Sequence, residues 1–270
     1  GGVLSLVAAP TNALTPAYGA LLDVAGCLDI RDGGWLYPFS NPTNGGSVLL
    51  RMTDLNIAAG GGIEASGKGF RDDHGDGAPA SGWGGGAGHG GVGGQGQGGP
   101  GGSAYGVAQA PMKPGSGGRD GNANAHIGST GGGLVWVEAA GSITLNGAIV
   151  ADGAMRATRY IGGGGSGGGI HLWSLGRFEG GENAVLRADG GEGGIWTPTD
   201  HRGGGGGGGR IAVWPGVPAS MRERMMQAVP TGATFSDTHP DFVGTISVTN
   251  GIGRCNDSDP TASPPLPGAV

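Results

Sequence analysis

The stretch GGGLVWVEAAGSITLNGAIVADG at positions 131–153 decides the fold, because two other parts of the chain repeat its pattern. Positions 45–67 are GGSVLLRMTDLNIAAGGGIEASG, and positions 168–190 are GGIHLWSLGRFEGGENAVLRADG. From the last opening glycine to the closing glycine the separation is 20 residues in the quoted stretch and 21 in both others. A repeat of this length is typical of an architecture built by stacking similar units.

Partial copies flank the three complete ones. Positions 207–214 repeat the opening until Trp214-Pro215 ends the pattern, and a looser relative covers positions 21–36. Each copy supplies about three short strands bounded by Gly or Asn-Gly turns. We therefore predict an all-β fold, namely a glycine-rich β-solenoid or β-sandwich of short-strand repeats.

The repeats predict a single domain over residues 1–259. One short helix is expected at 218–229, where Ser220 and Glu223 form a capping box and Met221, Met225 and Val229 share one face. Residues 260–270 contain four prolines within the first eight positions, which favours an extended tail.

Glycine supplies 68 of the 270 residues, and it is concentrated in tracts that follow the third strand of one copy and lead into the next. The longest tract has 14 glycines between Gly82 and Gly102. Collagen is excluded because the glycines come in runs and not at every third position. Polyglycine-II-like strands that bond to one another are the interpretation we favour, and flexible surface loops are the alternative.

Composition also limits the partners. A net charge of -6 with scattered Lys and Arg provides no basic stripe, so nucleic acid is not expected as a partner. No apolar run approaches the roughly 20 residues that span a bilayer. The start at Gly1 has neither Met nor a signal pattern, so we expect a mature or trimmed piece of a longer chain.

Openings of Gly-Gly-x-Val or Ile and closings of Ile-x-Ala-Asp or Ser-Gly resemble the glycine-rich β-solenoid segments of very large exported bacterial surface proteins. The resemblance covers about residues 33–213. It implies a solenoid fold and an extracellular or cell-surface location, and it carries no catalytic signature. The glycine tracts are also similar to polyglycine-II bundles. The long tract between the first two copies and the capped helix depart from the surface-protein pattern.

Cys27 and Cys255 are the two cysteines, one near each end. A covalent cross-link stabilises an exported fold that has few core side chains. We therefore predict an intramolecular disulfide that stabilises the folded state by roughly 4 to 5 kcal/mol. Two buried free thiols and pairing with another chain are the alternatives.

The densest polar cluster runs from Arg71 to Gly77. Asp72 and Asp76 in this cluster are weak calcium candidates, because oxygens at alternate positions before a glycine suit a cation. A solvated turn is the favoured interpretation, and we expect no cofactor. Carboxylates elsewhere are spread one or two per repeat, and Asp152 and Asp189 occupy equivalent turn positions that indicate capping rather than catalysis.

Aromatic residues in or beside glycine-rich turns are candidate contacts with a glycan or a protein partner, because Trp and Tyr rings suit such surfaces. They are Trp35, Tyr37, Trp83, Tyr105, Tyr160 and Trp196. The alternative is that these rings cover glycine surfaces which otherwise bury little apolar area.

These observations predict a structural subunit of an extracellular filament, sheath or surface layer, with the chain itself as partner. We expect the apolar N-terminal strands to meet the helix end or last strand of the next copy, so that deleting residues 1–20 abolishes assembly. An adhesin or glycan-binding module is the second hypothesis. A polysaccharide-acting enzyme on a β-solenoid is the third, and we expect no enzyme.

Overall fold

The computed structural model describes residues 1–11, 18–120, 128–155, 162–196, 201–221 and 241–253, and of Trp196 and His201 only the backbone. Two large parallel sheets form its centre. The first sheet has six strands in the spatial order β1 (Val3–Val7), β3 (Trp35–Phe39), β5 (Gly62–Glu64), β8 (Ala148–Val150), β11 (Val185–Arg187) and β15 (Thr245–Ser247).

The second sheet has seven strands around the long strand β4. Its members are β2 (Tyr18–Ile30), β4 (Ser47–Ile57), β6 (Leu134–Ala139), β7 (Ile143–Leu145), β9 (Gly169–Ser174), β10 (Phe178–Gly180) and β14 (Arg210–Trp214). β2 pairs with β4, while β6 and β7 pair with successive parts of β4. β9 and β10 continue beyond β6 and β7, and β14 pairs with β9.

The main core lies between the two sheets. Its fully buried side chains include Leu50 and Leu172 from the second sheet and Ile63 and Ile149 from the first. A smaller cluster of Leu49, Leu134 and Trp136 lies apart from the main core, with Tyr18 and Met112 packed against it. Because residues in register in a parallel sheet point to the same face, equivalent apolar positions stack on one another.

The predicted fold class, an all-β glycine-rich β-solenoid or β-sandwich of short-strand repeats, is wrong. The structure has mixed parallel sheets and, over the described residues, little helix, and the spatial order of the strands in the second sheet departs from the chain order. The prediction was drawn from about three short strands in each copy and their Gly or Asn-Gly turns, and these local patterns do not specify which strands pair. Among the described residues only β12 (Ile195–Trp196) and β13 (His201–Arg202) form an antiparallel strand pair.

The short C-terminal helix of the prediction is described only at residues 219–221, which are helical. The rest of the predicted span 218–229 lies outside the described residues, and so does the Pro-rich segment 260–270. None of the described helical structure is long and apolar enough to cross a membrane.

The glycine tracts form a buried layer beside the sheets, here called the glycine layer, which contains Gly85–Gly94, Gly162–Gly168 and Gly203–Gly209. Backbone hydrogen bonds join one tract to another, as from Gly164 N to Gly204 O (2.9 Å) and from Gly94 N to Gly205 O (2.7 Å). A Cβ added at Gly164 would lie 2.0 Å from the carbonyl oxygen of Gly191. The layer is therefore held together by main-chain contacts that side chains would obstruct.

Candidate functional site

The first strand of each large sheet lies at a free edge. Among the described residues, β1 pairs only with β3 and β2 pairs only with β4. Apolar side chains on these strands are unusually exposed, with relative exposures of 69 % for Val3, 45 % for Leu4, 73 % for Val7 and 41 % for Leu21. We call β1 and β2 together the N-terminal edge surface.

A cavity of about 540 Å³ opens between these two edge strands. Its apolar lining includes Val3, Leu4, Leu28, Ile30, Trp35 and Leu36, and its charged members are Asp29, Arg31 and Asp32. Leu6, Leu22 and Val24 are only partly buried, although they pack against the main core. The core is thus open to solvent at its N-terminal end.

The turn carboxylates are engaged in capping. Asp152 Oδ1 accepts a hydrogen bond from Asp189 N (2.9 Å), and Asp189 Oδ1 in turn accepts from Thr249 N (2.6 Å). The guanidinium of Arg187 pairs with Asp152 at 2.7 Å. Burial raises the pKa of Asp152, against the opposing effect of the hydrogen bond from Arg187. Each carboxylate therefore fixes the backbone that follows the neighbouring strand of the first sheet.

The calcium candidates are not brought together as a ligand set. Asp76 forms an ion pair with Lys113, and the carbonyl oxygen of Asp72 accepts a hydrogen bond from His74 Nδ1 (2.8 Å). Across the described ranges, no group of three or more His, Cys, Asp or Glu side chains is arranged to hold a metal ion.

The aromatic candidates lie in two separate places. Trp35 and Tyr37 are half-buried on β3, and the ammonium of Lys68 lies 5.0 Å from the Tyr37 ring centroid. Trp83 is 57 % exposed in the glycine-rich region between β5 and β6, where its ring packs on Gly98. Tyr160 lies outside the described residues, and the side chain of Trp196 is not described.

Tyr105 belongs to a buried polar cluster that the sequence analysis missed. Its ring stacks on His89 with centroids 4.6 Å apart, and its hydroxyl donates a hydrogen bond to Pro114 O and accepts one from Ser116 Oγ. Burial raises the pKa of Tyr105 above its ordinary range. The only sequence sign of this cluster is a single His within the glycine tract, which is not specific enough to predict it.

His89 itself is fully buried in the glycine layer. Its Nδ1 donates a hydrogen bond to Gly167 O (2.8 Å), while Nε2 has no hydrogen-bond partner within the described part of the chain. The pKa of His89 is lowered to about 4, because burial and, to a smaller extent, the nearby Arg210 disfavour the protonated ring more than the backbone hydrogen bond favours it. The imidazole is therefore neutral at pH 7.

Cys27 is exposed on β2, with Sγ 3.3 Å from Asp29 Oδ1, whereas Cys255 lies outside the described residues. The disulfide stays a prediction. Intact mass with and without reduction, together with non-reducing electrophoresis, separates a bridge within a chain, a bridge between chains and free thiols.

Comparison with protein-family models, curated proteins and solved structures finds no match for this chain. The case for a function therefore rests on the geometry of the N-terminal edge surface and of the exposed aromatic residues.

Proposed function

We propose that this chain is a structural subunit of an extracellular filament, sheath or surface layer, which assembles through contacts between identical copies. The observation that carries the proposal is the N-terminal edge surface. It combines two free strand edges, exposed apolar side chains and an open end of the core.

Free strand edges are the usual template for pairing with another chain, and proteins that stay monomeric protect them with charge, proline or a covering element. β1 has no charged residue, and β2 has only Asp23 and Asp29 in thirteen positions. Charged residues make up 13 % of the chain, about half of the usual roughly 25 %. Electrostatic repulsion between copies is therefore weak, and this favours contact between them. The proposed role needs no cofactor.

Removing the first edge strand tests the proposal. Since β2 begins at Tyr18, deletion of residues 1–17 removes β1 and leaves β2 intact. We expect the full chain to assemble with rising concentration and the deletion variant to remain a folded monomer, as followed by light scattering, electron microscopy and circular dichroism. Deletion of residues 260–270 is the control and is expected to leave assembly unchanged. A full chain that is monomeric at every concentration contradicts the proposal.

A glycan-binding module is the second candidate, and the exposed ring of Trp83 favours it. The ring lies against Gly98 and is 57 % exposed, and an exposed indole is the kind of flat apolar surface on which a sugar ring can stack. A glycan array with the full chain and with Trp83→Ala tests this candidate. Signals that disappear in the variant support it, and an array without signals rejects it.

A further inference from the structure

We propose that the copies join head to tail, with β1 of one subunit adding to the first sheet beside β15 of the next. This inference rests on the proposed function, because it names the partner surface for the N-terminal edge. The occupant of that edge is thus the opposite end of a second copy of the same chain.

A column of apolar side chains runs through the whole first sheet, and among the described strands none continues the sheet beyond β1 or beyond β15. Its members, from one edge strand to the other, are Leu4, Leu36, Ile63, Ile149, Leu186 and Ile246. The four inner members are at most 2 % exposed, whereas Leu4 is 45 % exposed and Ile246 is half-buried. Both ends of the column are thus apolar, and both are less buried than its inner members.

The direction of the strands selects a head-to-tail contact. All pairs within the first sheet are parallel, so its two edges belong to strands that run the same way and present opposite hydrogen-bonding sides. A second copy shifted along the stack restores parallel pairing between β15 and β1. A symmetric contact between two β1 edges would instead pair strands in opposite directions, and such an isologous contact closes as a dimer.

The second sheet does not close at the same junction. The first sheet has six strand positions, but the second has five, since β6 with β7 and β9 with β10 each share one position. When β1 of one copy lies beside β15 of another, β2 and β14 are therefore separated by one position that no described strand fills. The contact energy is thus concentrated in the first sheet, and the edge of β2 contributes little.

Variants that block one edge each provide the test. Leu4→Lys blocks the N-terminal edge and Ile246→Lys blocks the C-terminal edge, since each introduces a charge into an apolar contact. We expect each variant alone to be monomeric. An equimolar mixture of the two is expected to form a dimer of about 52 kDa, twice the 26.2 kDa of one chain. The first variant keeps an unmodified C-terminal edge and the second keeps an unmodified N-terminal edge, so one contact can form. Light scattering coupled to size-exclusion chromatography measures these masses.

Other outcomes distinguish the possible errors. If Ile246→Lys alone dimerises, two N-terminal edges meet symmetrically, and the head-to-tail inference is wrong while the proposed function stands. If wild-type protein never assembles, the proposed function fails first. Leu175→Lys is the matched control, because Leu175 is 50 % exposed and lies outside both the N-terminal edge surface and β15. It is expected to assemble like wild type, whereas loss of assembly in this variant overturns the assignment to the two edges of the first sheet. Leu4→Ser and Thr245→Lys replace the first pair if either variant is unfolded by circular dichroism.

Discussion

The two-sheet core and the glycine layer lie side by side in the same molecule, yet they are packed by different means. In the core, apolar side chains such as Leu50, Val137 and Leu172 stack in register at 0 % exposure. In the glycine layer, the contacts are hydrogen bonds between main chains, and added Cβ atoms at Gly164 and Gly206 would each lie 2.0 Å from a carbonyl oxygen.

The difference shows that two opposite requirements apply to neighbouring parts of one repeat. A core position loses stability when its side chain is shortened, because a cavity remains. A glycine-layer position loses stability when any side chain is added, because the adjacent backbone cannot move away without breaking its own hydrogen bonds. We therefore expect shortened side chains to destabilise the core and added side chains to destabilise the glycine layer.

The largest effect is expected from Gly164→Val combined with Gly206→Val. Each new Cβ collides with backbone of a neighbouring tract, and the Cβ at Gly164 would also lie 2.8 Å from Gly206 N. Overpacking costs about 1 to 3 kcal/mol at one site and sometimes more, so we expect the double variant not to fold. Each single variant should lower the melting temperature, measured by circular dichroism.

Gly26→Ala is the control for this experiment, since a Cβ there would have no neighbour within 4 Å. Its melting temperature should stay close to that of wild type. Unchanged melting of both single variants, together with fast amide exchange across the tracts, would show that the glycine layer does not contribute to stability.

Leu172→Ala, in the core, tests the opposite requirement. Leu172 is 0 % exposed and lies between Val137 and Val213 in register, so its removal leaves a cavity. We expect a loss of about 2 to 5 kcal/mol in the free energy of unfolding, measured with denaturant. Leu21→Ala on the exposed edge of β2 should cost less than about 1 kcal/mol, and equal losses at both positions would contradict the core assignment.

The sequence predicts which residues are apolar and equivalent, but not how the strands pair. The equivalence of Ile63, Ile149 and Leu186 follows from the repeat, and these residues are neighbours in register in the first sheet. The pairing was missed because Asn-Gly at 146–147 is also a strong hairpin signal, whereas here β7 and β8 belong to different sheets. Parallel pairing joins strands from different repeats of the same chain, and the pattern within one repeat does not specify it.

The candidate site was predictable only in part, for a related reason. The apolar, nearly uncharged character of β1 and β2 is visible in the sequence, and the free edges were expected from it. The cluster around His89 and Tyr105 could not be predicted, because it joins residues from distant glycine-rich segments such as Gly167 and Pro114. Glycine tracts have no periodic side chains from which such contacts can be inferred.

Acid should weaken the glycine layer through His89. Its pKa of about 4 in the folded protein is below the ordinary 6.5, so the unfolded chain binds the proton more readily. The contribution of neutral His89 to the free energy of unfolding is therefore fully present above about pH 6.5. It is lost as the pH falls towards 4, by up to about 3 kcal/mol. Denaturant unfolding of wild type at pH 7, 5.5 and 4.5 measures this loss.

His89→Asn separates this effect from that of other charged groups, including Asp76 and Arg210 near the ring. The variant should be less stable at pH 7, but the difference from wild type should shrink as the pH falls. A difference that stays constant from pH 7 to 4.5 would show that His89 is not the group responsible.

The smallest effect is expected from Trp83→Ala. This variant tests whether exposed rings or main-chain hydrogen bonds stabilise the glycine layer. The ring covers Gly98, which follows the first tract of the glycine layer, but the tracts are already joined by hydrogen bonds such as that from Gly94 N to Gly205 O (2.7 Å). Because the side chain is 57 % exposed, its removal frees little buried area, and we expect a change below about 1 kcal/mol in the free energy of unfolding. Denaturant unfolding beside Leu172→Ala gives the comparison under the same conditions. A loss as large as that of Leu172→Ala would mean that aromatic cover is essential to the layer, and it would also remove the reason to regard Trp83 as a ring kept free for a ligand.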